Sequence, residues 1–295
     1  RFRNVTGVQT CALPISRQGC PVNVCIYCLW PQTFTGHPWR VRSNENVVAE
    51  VKRTLEIFPE VKEIFFDDDT WAWGKARVIE LCKHLKPLSF TWSCNSRVHA
   101  DFEMLKAMKE AGCRLLVVGF ESGSQDVLNN MKKGITIEQS LTFMKNCREL
   151  GLTVHGDFMI GLPGETRETI LQTIELAERL DPETIQVSLA HPFPGTEFYR
   201  YLEANGYLTE DDMSDELGHQ LPNYEYPWLS RQEIVDAVEY FYGRYYFRPR
   251  VIYRIVRKAI FDRDERARLY EEARDYLTLR ARRKRFTGNV FEKAR

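Results

Sequence analysis

Cysteine is scarce in this 295-residue sequence: eight in all, unevenly spaced, too few for the disulfide framework of a small secreted domain. Charge of one sign is lacking too. Lysine and arginine total 41 against 41 aspartates and glutamates, so any polyanion-binding surface must be local. No run of 18 apolar residues occurs, which excludes an ordinary spanning helix but not peripheral contact. No basic segment followed by an apolar stretch opens the chain, so the expected compartment is the reducing cytosol, with the inner face of the membrane as a variant. What is present is globular composition, 43% hydrophobic and 28% charged, in a length that suits one large domain or a domain with a helical appendage.

From residue 46 onward, short β-branched or aromatic runs alternate with amphipathic stretches, the pattern of a parallel α/β fold. Strands are expected at Glu63–Asp67, Ser89–Cys94, Arg114–Phe120, Thr153–Ile160 and Thr184–Leu189. Helices are expected at Asn46–Phe58, Lys75–Leu85, Asp101–Ala111, Ile137–Leu150, Glu165–Leu180 and Glu197–Asn205. Polar or glycine residues follow the strand ends: Asp67, Asp68 and Asp69; Asn95 and Arg97; Glu121; Gly161, Gly164 and Glu165; His191. In parallel sheets and barrels the ligand lies beyond the carboxyl ends of the strands, so these residues should share one face.

Beyond Gly206 the texture changes. Seven acids and no lysine or arginine lie between Tyr201 and Glu225. Two helical stretches follow, Arg231–Ile260 and Arg263–Lys284, read as a second region packed on the first. Residues 276–295 hold seven basic side chains against Glu292, an excess suited to phosphate or an anionic membrane surface, or to a solvated terminus.

Cys20, Cys25 and Cys28 form a C-x4-C-x2-C pattern. Three thiolates in nine residues can converge on one centre. With a fourth ligand such as His37 they suit tetrahedral zinc; alone they suit a [4Fe-4S] cube with one iron open. Cys82, Cys94, Cys113 and Cys147 fall on expected helices and strands and read as buried small hydrophobes, and the same bland reading holds for His84, His99, His155 and His219.

Taken together, the three cysteines, Asp67 to Asp69, Glu121 and the Gly161-Leu162-Pro163-Gly164-Glu165 turn resemble the radical S-adenosylmethionine (SAM) superfamily, in its cobalamin-binding-associated branch. The segments CLWPQTFTGH (Cys28 to His37), EIFFDDDTW (Glu63 to Trp71), FTWSCNSR (Phe90 to Arg97), VGFESGSQ (Val118 to Gln125) and QVSLAHPFPGTEFYRYL (Gln186 to Leu202) are similar to the HpnJ-type enzymes of hopanoid biosynthesis. The resemblance implies a partial (β/α)6 TIM-like barrel over residues 17–208 and a mostly helical region over 209–295. It further implies a [4Fe-4S] cluster on Cys20, Cys25 and Cys28, whose open iron chelates SAM, and cleavage of SAM to a 5'-deoxyadenosyl radical that abstracts hydrogen. Asp68 or Asp69 would meet the methionyl ammonium, Glu121 the adenosine hydroxyls, and the backbone at Gly161 and Gly164 the adenine. An external electron donor and a small or lipid-linked aminosugar substrate are implied as partners, with ring contraction of a glucosaminyl hopanoid as the reaction. Another methyltransferase or cyclase of the branch is the alternative, a zinc-stabilised module the non-enzymatic one, and nucleic acid is not expected as a partner.

Two departures from the pattern stand out. Four residues, Pro21 to Val24, separate the first cysteines where the family has three; one extra residue shifts a loop by up to ~3.5 Å unless it bulges. Residues Val5 to Ser16 resemble translated sequencing adapter. On that reading residues 1–16 are an artefactual lead-in, the natural first strand is missing or replaced, and the cobalamin-binding domain belongs to a longer parent that carries the activity.

Overall fold

Alternating burial marks the strands. In the segment Thr153–Ile160 every second residue is buried, ending at Phe158 and Ile160, as a sheet with helices packed on one face requires. The computed structural model describes residues 11–12, 14–29, 39–209, 214, 221–261, 266, 270 and 274. His37, Trp30, His219, the whole basic stretch of residues 276–295 and most of the helix expected at Arg263–Lys284 lie outside them.

The strands are β1 (Cys11–Ala12), β2 (Arg17–Gln18), β3 (Arg40–Val41), β4 (Glu63–Phe66), β5 (Trp92–Ser96), β6 (Cys113–Glu121), β7 (Thr153–Ile160) and β8 (Thr184–Leu189). Six of them form one sheet in the order β1-β4-β5-β6-β7-β8, every neighbour parallel. The five expected strands are all present, in sequence order, and this is the open, partial form of the expected barrel. Cys11–Ala12 occupies the edge beside β4. β2 and β3 pair as a separate antiparallel ribbon.

The helices are α1 (Asn44–Ile57), α2 (Lys75–Leu85), α3 (Phe102–Glu110), α4 (Gln125–Asn130), α5 (Ile137–Leu150), α6 (Arg167–Leu180), α7 (Glu197–Asn205), α8 (Arg231–Tyr246) and α9 (Pro249–Phe261). Their starts are written in side chains that accept the free amides of the first turn. Asp101 accepts from Met104 N at α3, and Thr136 and Ser230 build capping boxes with Gln139 and Glu233 at α5 and α8. Several boundaries differ from expectation, three of them for a visible reason. β5 starts at Trp92, not Ser89, because Ser89 closes the turn after α2 in a left-handed conformation (φ 51°). α6 starts after its cap Thr166, leaving Glu165 outside the helix. The helix expected over Arg231–Ile260 is two helices, broken where Pro249 lacks an amide and disfavours helical backbone at Arg248.

One core runs from Ile26 in the cysteine loop to Val251 in α9. Phe66, Trp71 and Trp92 pack at its β4–β5 end, the two indoles 4.7 Å apart. At the other end Phe120, Phe158 and Phe241 carry it from β6 through β7 to α8. Among the described residues no helix is long and apolar enough to cross a membrane.

Candidate active site

Because the strands of the large sheet are parallel, their carboxyl ends lie together, and so do the residues that follow them. The cysteine loop sits against this end. Its backbone is clamped from both sides: Ile26 N donates to Met131 O (3.2 Å) after α4, and Ile26 O accepts from Phe198 N (3.0 Å) in α7. Cys28 N closes a turn onto Cys25 O (3.2 Å). The extra residue of the loop is taken up as a bend, with Asn23 left-handed (φ 35°) and Val24 53% exposed.

The three cysteines are half-buried thiols on this one loop. Cys20 Sγ lies 4.0 Å from Thr70 Oγ1, and Cys25 Sγ lies 3.7 Å from Lys132 O. Among the described residues no three histidine, cysteine or acid side chains stand at metal-binding spacing. In donor chemistry the loop fits a cluster: three soft thiols, a partly open surface and backbone fixed at both ends. The other four cysteines described are buried as expected, and burial pushes the thiols of Cys82, Cys94 and Cys147 up.

The aspartates after β4 divide. The Asp68 carboxylate is 1% exposed and turned back to the N-terminal segment, accepting from Ser16 N (3.0 Å), Ser16 Oγ (3.1 Å) and Arg17 N (2.6 Å). Burial raises its pKa, opposed by those donors and by the Arg17 charge. Asp69 is partly exposed, and among the described residues no hydrogen bond reaches its carboxylate; burial, then repulsion from Asp67, raises its pKa. Asn95 Nδ2 donates to Asp68 O (2.9 Å), tying the end of β5 to this loop.

Glu121 ends β6 in a left-handed conformation (φ 64°) that glycine adopts more easily. Its buried carboxylate pairs with Lys133, itself buried, and accepts from the Tyr27 hydroxyl (3.2 Å); Lys133 Nζ also donates to Tyr27 (3.3 Å). Tyr27 lies between Cys25 and Cys28, so this trio joins the cysteine loop to the sheet. Arg97 holds the same turn by donating to Lys133 O. A Cβ on Gly119 would overlap both Glu121 Oε1 and Lys133 Nζ, so glycine there makes room for the pair. Sequence patterns single out neither Tyr27 nor Lys133. The tyrosine looks like one more apolar residue of the loop, and the lysine lies 12 residues beyond Glu121 after a helix too short to show periodicity.

The Gly161–Glu165 turn is built around a buried acid. Glu165 is fully buried and one carboxylate oxygen accepts from Gly161 N and Leu162 N. Its other oxygen has no partner among the described residues, and burial pushes its pKa up to about 8. Gly161 (φ 95°) and Gly164 (φ 82°) are both left-handed, and a Cβ on Gly161 would overlap the Tyr224 hydroxyl. Tyr226 donates to Gly161 O (3.0 Å) and Trp228 to Glu165 O (2.9 Å), so residues beyond the sheet seal this turn. His191 after β8 is partly buried and packs against Phe193 with the rings tilted, 4.7 Å between centroids.

Comparison with known proteins agrees with this geometry. Residues 15–177 match the family described as the radical SAM superfamily. An uncharacterized methyltransferase of Pyrococcus horikoshii is 35% identical over 81% of this chain and 52% of its own length. The anaerobic magnesium-protoporphyrin IX monomethyl ester cyclase of Cereibacter sphaeroides is 26% identical over 80% of this chain and 39% of its own. The chain thus spans about half or less of these curated relatives. In fold it is similar to the radical SAM methyltransferase TsrM from Kitasatospora setae, with a TM-score of 0.68, 19% identity and coverage of 81% of this chain and 52% of that one. A parallel sheet, a three-cysteine loop clamped over its carboxyl end and a match across more than half its length place the chain in the radical SAM superfamily, a family of enzymes that use a [4Fe-4S] cluster and SAM.

Proposed function

We propose that this chain is the catalytic core of a cobalamin-associated radical SAM enzyme that cleaves SAM reductively and abstracts hydrogen from a bound substrate. The observation that carries the reading is the cysteine loop, fixed by Met131 and Phe198 and joined through Tyr27 to the Glu121–Lys133 pair. When bound through Cys20, Cys25 and Cys28, a [4Fe-4S] cluster supplies the electron that splits SAM into methionine and a 5'-deoxyadenosyl radical.

The chain's own residues then bind and orient. Asp69, whose carboxylate is not engaged among the described residues, suits the methionyl ammonium better than Asp68, which the N-terminal backbone occupies. Glu121 keeps one oxygen for ribose hydroxyls while Lys133 and Tyr27 hold the other. At Gly161 and Gly164 the room left by the missing side chains is taken by the Tyr224 hydroxyl and the Asn130 amide, so these glycines serve packing and adenine gains no opening from them. The apolar sheet interior limits water around a reactive radical.

For the substrate, likeness in the segments Cys28 to His37 and Gln186 to Leu202 supports an HpnJ-type role: ring contraction of a glucosaminyl hopanoid to a cyclitol ether. Methyl transfer is the second reading, favoured by the 35% identity with a methyltransferase and by the likeness to TsrM, a structure of which holds cobalamin and a [4Fe-4S] cluster. Anaerobic reconstitution tests the core of the proposal: about four iron and four sulfide per chain, then 5'-deoxyadenosine on reduction with SAM. Colourless, stoichiometric zinc in place of iron overturns it. With the full-length protein, 5'-deoxyadenosine that depends on the glucosaminyl hopanoid supports the first reading; a methylated product that requires cobalamin replaces it with the second.

A further inference from the structure

Helix α9 carries two stripes that face solvent. Ile252, Val256 and Ile260, four residues apart, are 43%, 49% and 60% exposed, with Tyr253 beside them at 68% and Phe261 at the end at 82%. That spacing sets them on one face. Val251, fully buried, and Ile255, packed on the core, hold the helix to the protein by another face. The exposed apolar stripe is therefore not the one the fold uses.

Arg250, Arg254, Arg257 and Lys258 form the second stripe along the same helix, which contains no acid. With Arg248 they make five cations over two carboxylates, Asp181 and Glu183, so among the described residues the surface keeps a positive excess after its ion pairs. Arg254 and Lys258 are anchored to Glu183, whereas Arg257 makes no ion pair among the described residues. Arg266 donates to Ala259 O and Ile260 O, beside the end of the apolar stripe. An apolar stripe bordered by arginines and lysine, with no carboxylate on the helix, matches an anionic bilayer: side chains of the first enter the headgroup boundary while the second meets lipid phosphate. A water-filled surface offers the stripe nothing, and a neutral protein partner leaves the cations uncompensated.

We propose that α9 docks this protein on the surface of an anionic lipid bilayer through Ile252, Tyr253, Val256 and Ile260, with Arg257 on lipid phosphate. The inference stands independently of the reaction proposed above and concerns a surface that reaction does not use.

The test is flotation of the purified full chain with vesicles of phosphatidylcholine alone or with about 30 mol% phosphatidylglycerol. The chain is expected to float with the anionic vesicles only and to be released by high salt. Arg257→Ala should lower partitioning about fivefold, and the triple change of Ile252, Val256 and Ile260 to serine at least about tenfold. Tyr253→Trp gives a readout in an otherwise intact surface: its emission should shift to the blue on adding anionic, not neutral, vesicles. Equal flotation with both vesicle types overturns the proposal, as does an unmoved Tyr253→Trp emission. A dimer in sedimentation equilibrium that the triple variant dissociates assigns the face to a second copy. A triple variant that loses thermal stability while floating unchanged assigns it to the chain's own C-terminal segment.

Discussion

Neighbouring aspartates with near-identical sequence contexts have different work in this fold. Asp68 organises the segment leading into the cysteine loop through Ser16 and Arg17; Asp69 is partly exposed, and its carboxylate is unengaged among the described residues. Asp68→Asn should therefore lower the urea midpoint while leaving the KM for SAM close to wild type in the folded fraction. Asp69→Asn should raise that KM about tenfold or more, the usual cost of losing a charged hydrogen bond, with an unchanged midpoint. Equal effects of the two on KM refute this division. Glu165 supports a pH prediction. Its folded pKa, about 8, lies above the ordinary value of 4.5, so between these values the folded chain binds more protons than the unfolded one. Its contribution is complete below about pH 4.5 and is lost as pH rises toward about 8. Urea midpoints of the wild type from pH 5 to pH 8 should fall more steeply than those of Glu165→Gln, and parallel slopes refute the assignment.

Among the elements, those that carry their own punctuation are legible in the sequence. α2, α5 and α7 match expectation to the residue because a cap and a glycine, or a strong apolar stripe, bound them. The five long strands were visible as apolar runs. α4 was not, since six residues hold too little periodicity. The site is legible in part for a similar reason. Cysteines, acids and glycines are chemically conspicuous, whereas Tyr27 and Lys133 become site residues only when the fold brings residues 27, 121 and 133 together. The Gly161–Glu165 turn shows how a motif also serves packing. Gly161→Ala meets both a left-handed backbone and the Tyr224 hydroxyl, so it should destabilise by about 2–4 kcal/mol, read as a lower urea midpoint. An unchanged midpoint would mean that Tyr224 can move aside at little cost.

For the whole molecule, the question is how an open parallel sheet protects its edges. A closed barrel has none; here β1 covers one side of β4 with two residues, and β8 ends the sheet on the other. The outward amides of β8 are not left to water or to another chain. Ile185 N donates to the Tyr246 hydroxyl (3.1 Å) and Val187 N to the Tyr242 hydroxyl (2.9 Å), both on α8. α8 also buries Ile234, Ala237, Phe241 and Tyr245 in the common core. The helical region thus covers the β8 edge of the sheet, where the change in composition near Gly206 suggests only a second region packed on the first. Replacing Tyr242 and Tyr246 with phenylalanine keeps the packing and removes both acceptors, each bond contributing about 1 kcal/mol. Amide exchange at Ile185 and Val187 should then accelerate by about fivefold or more per lost bond, while amides in the middle of β6 keep their protection. Uniform acceleration across the sheet would instead make the tyrosines contributors to global stability alone, and β8 would need another guard.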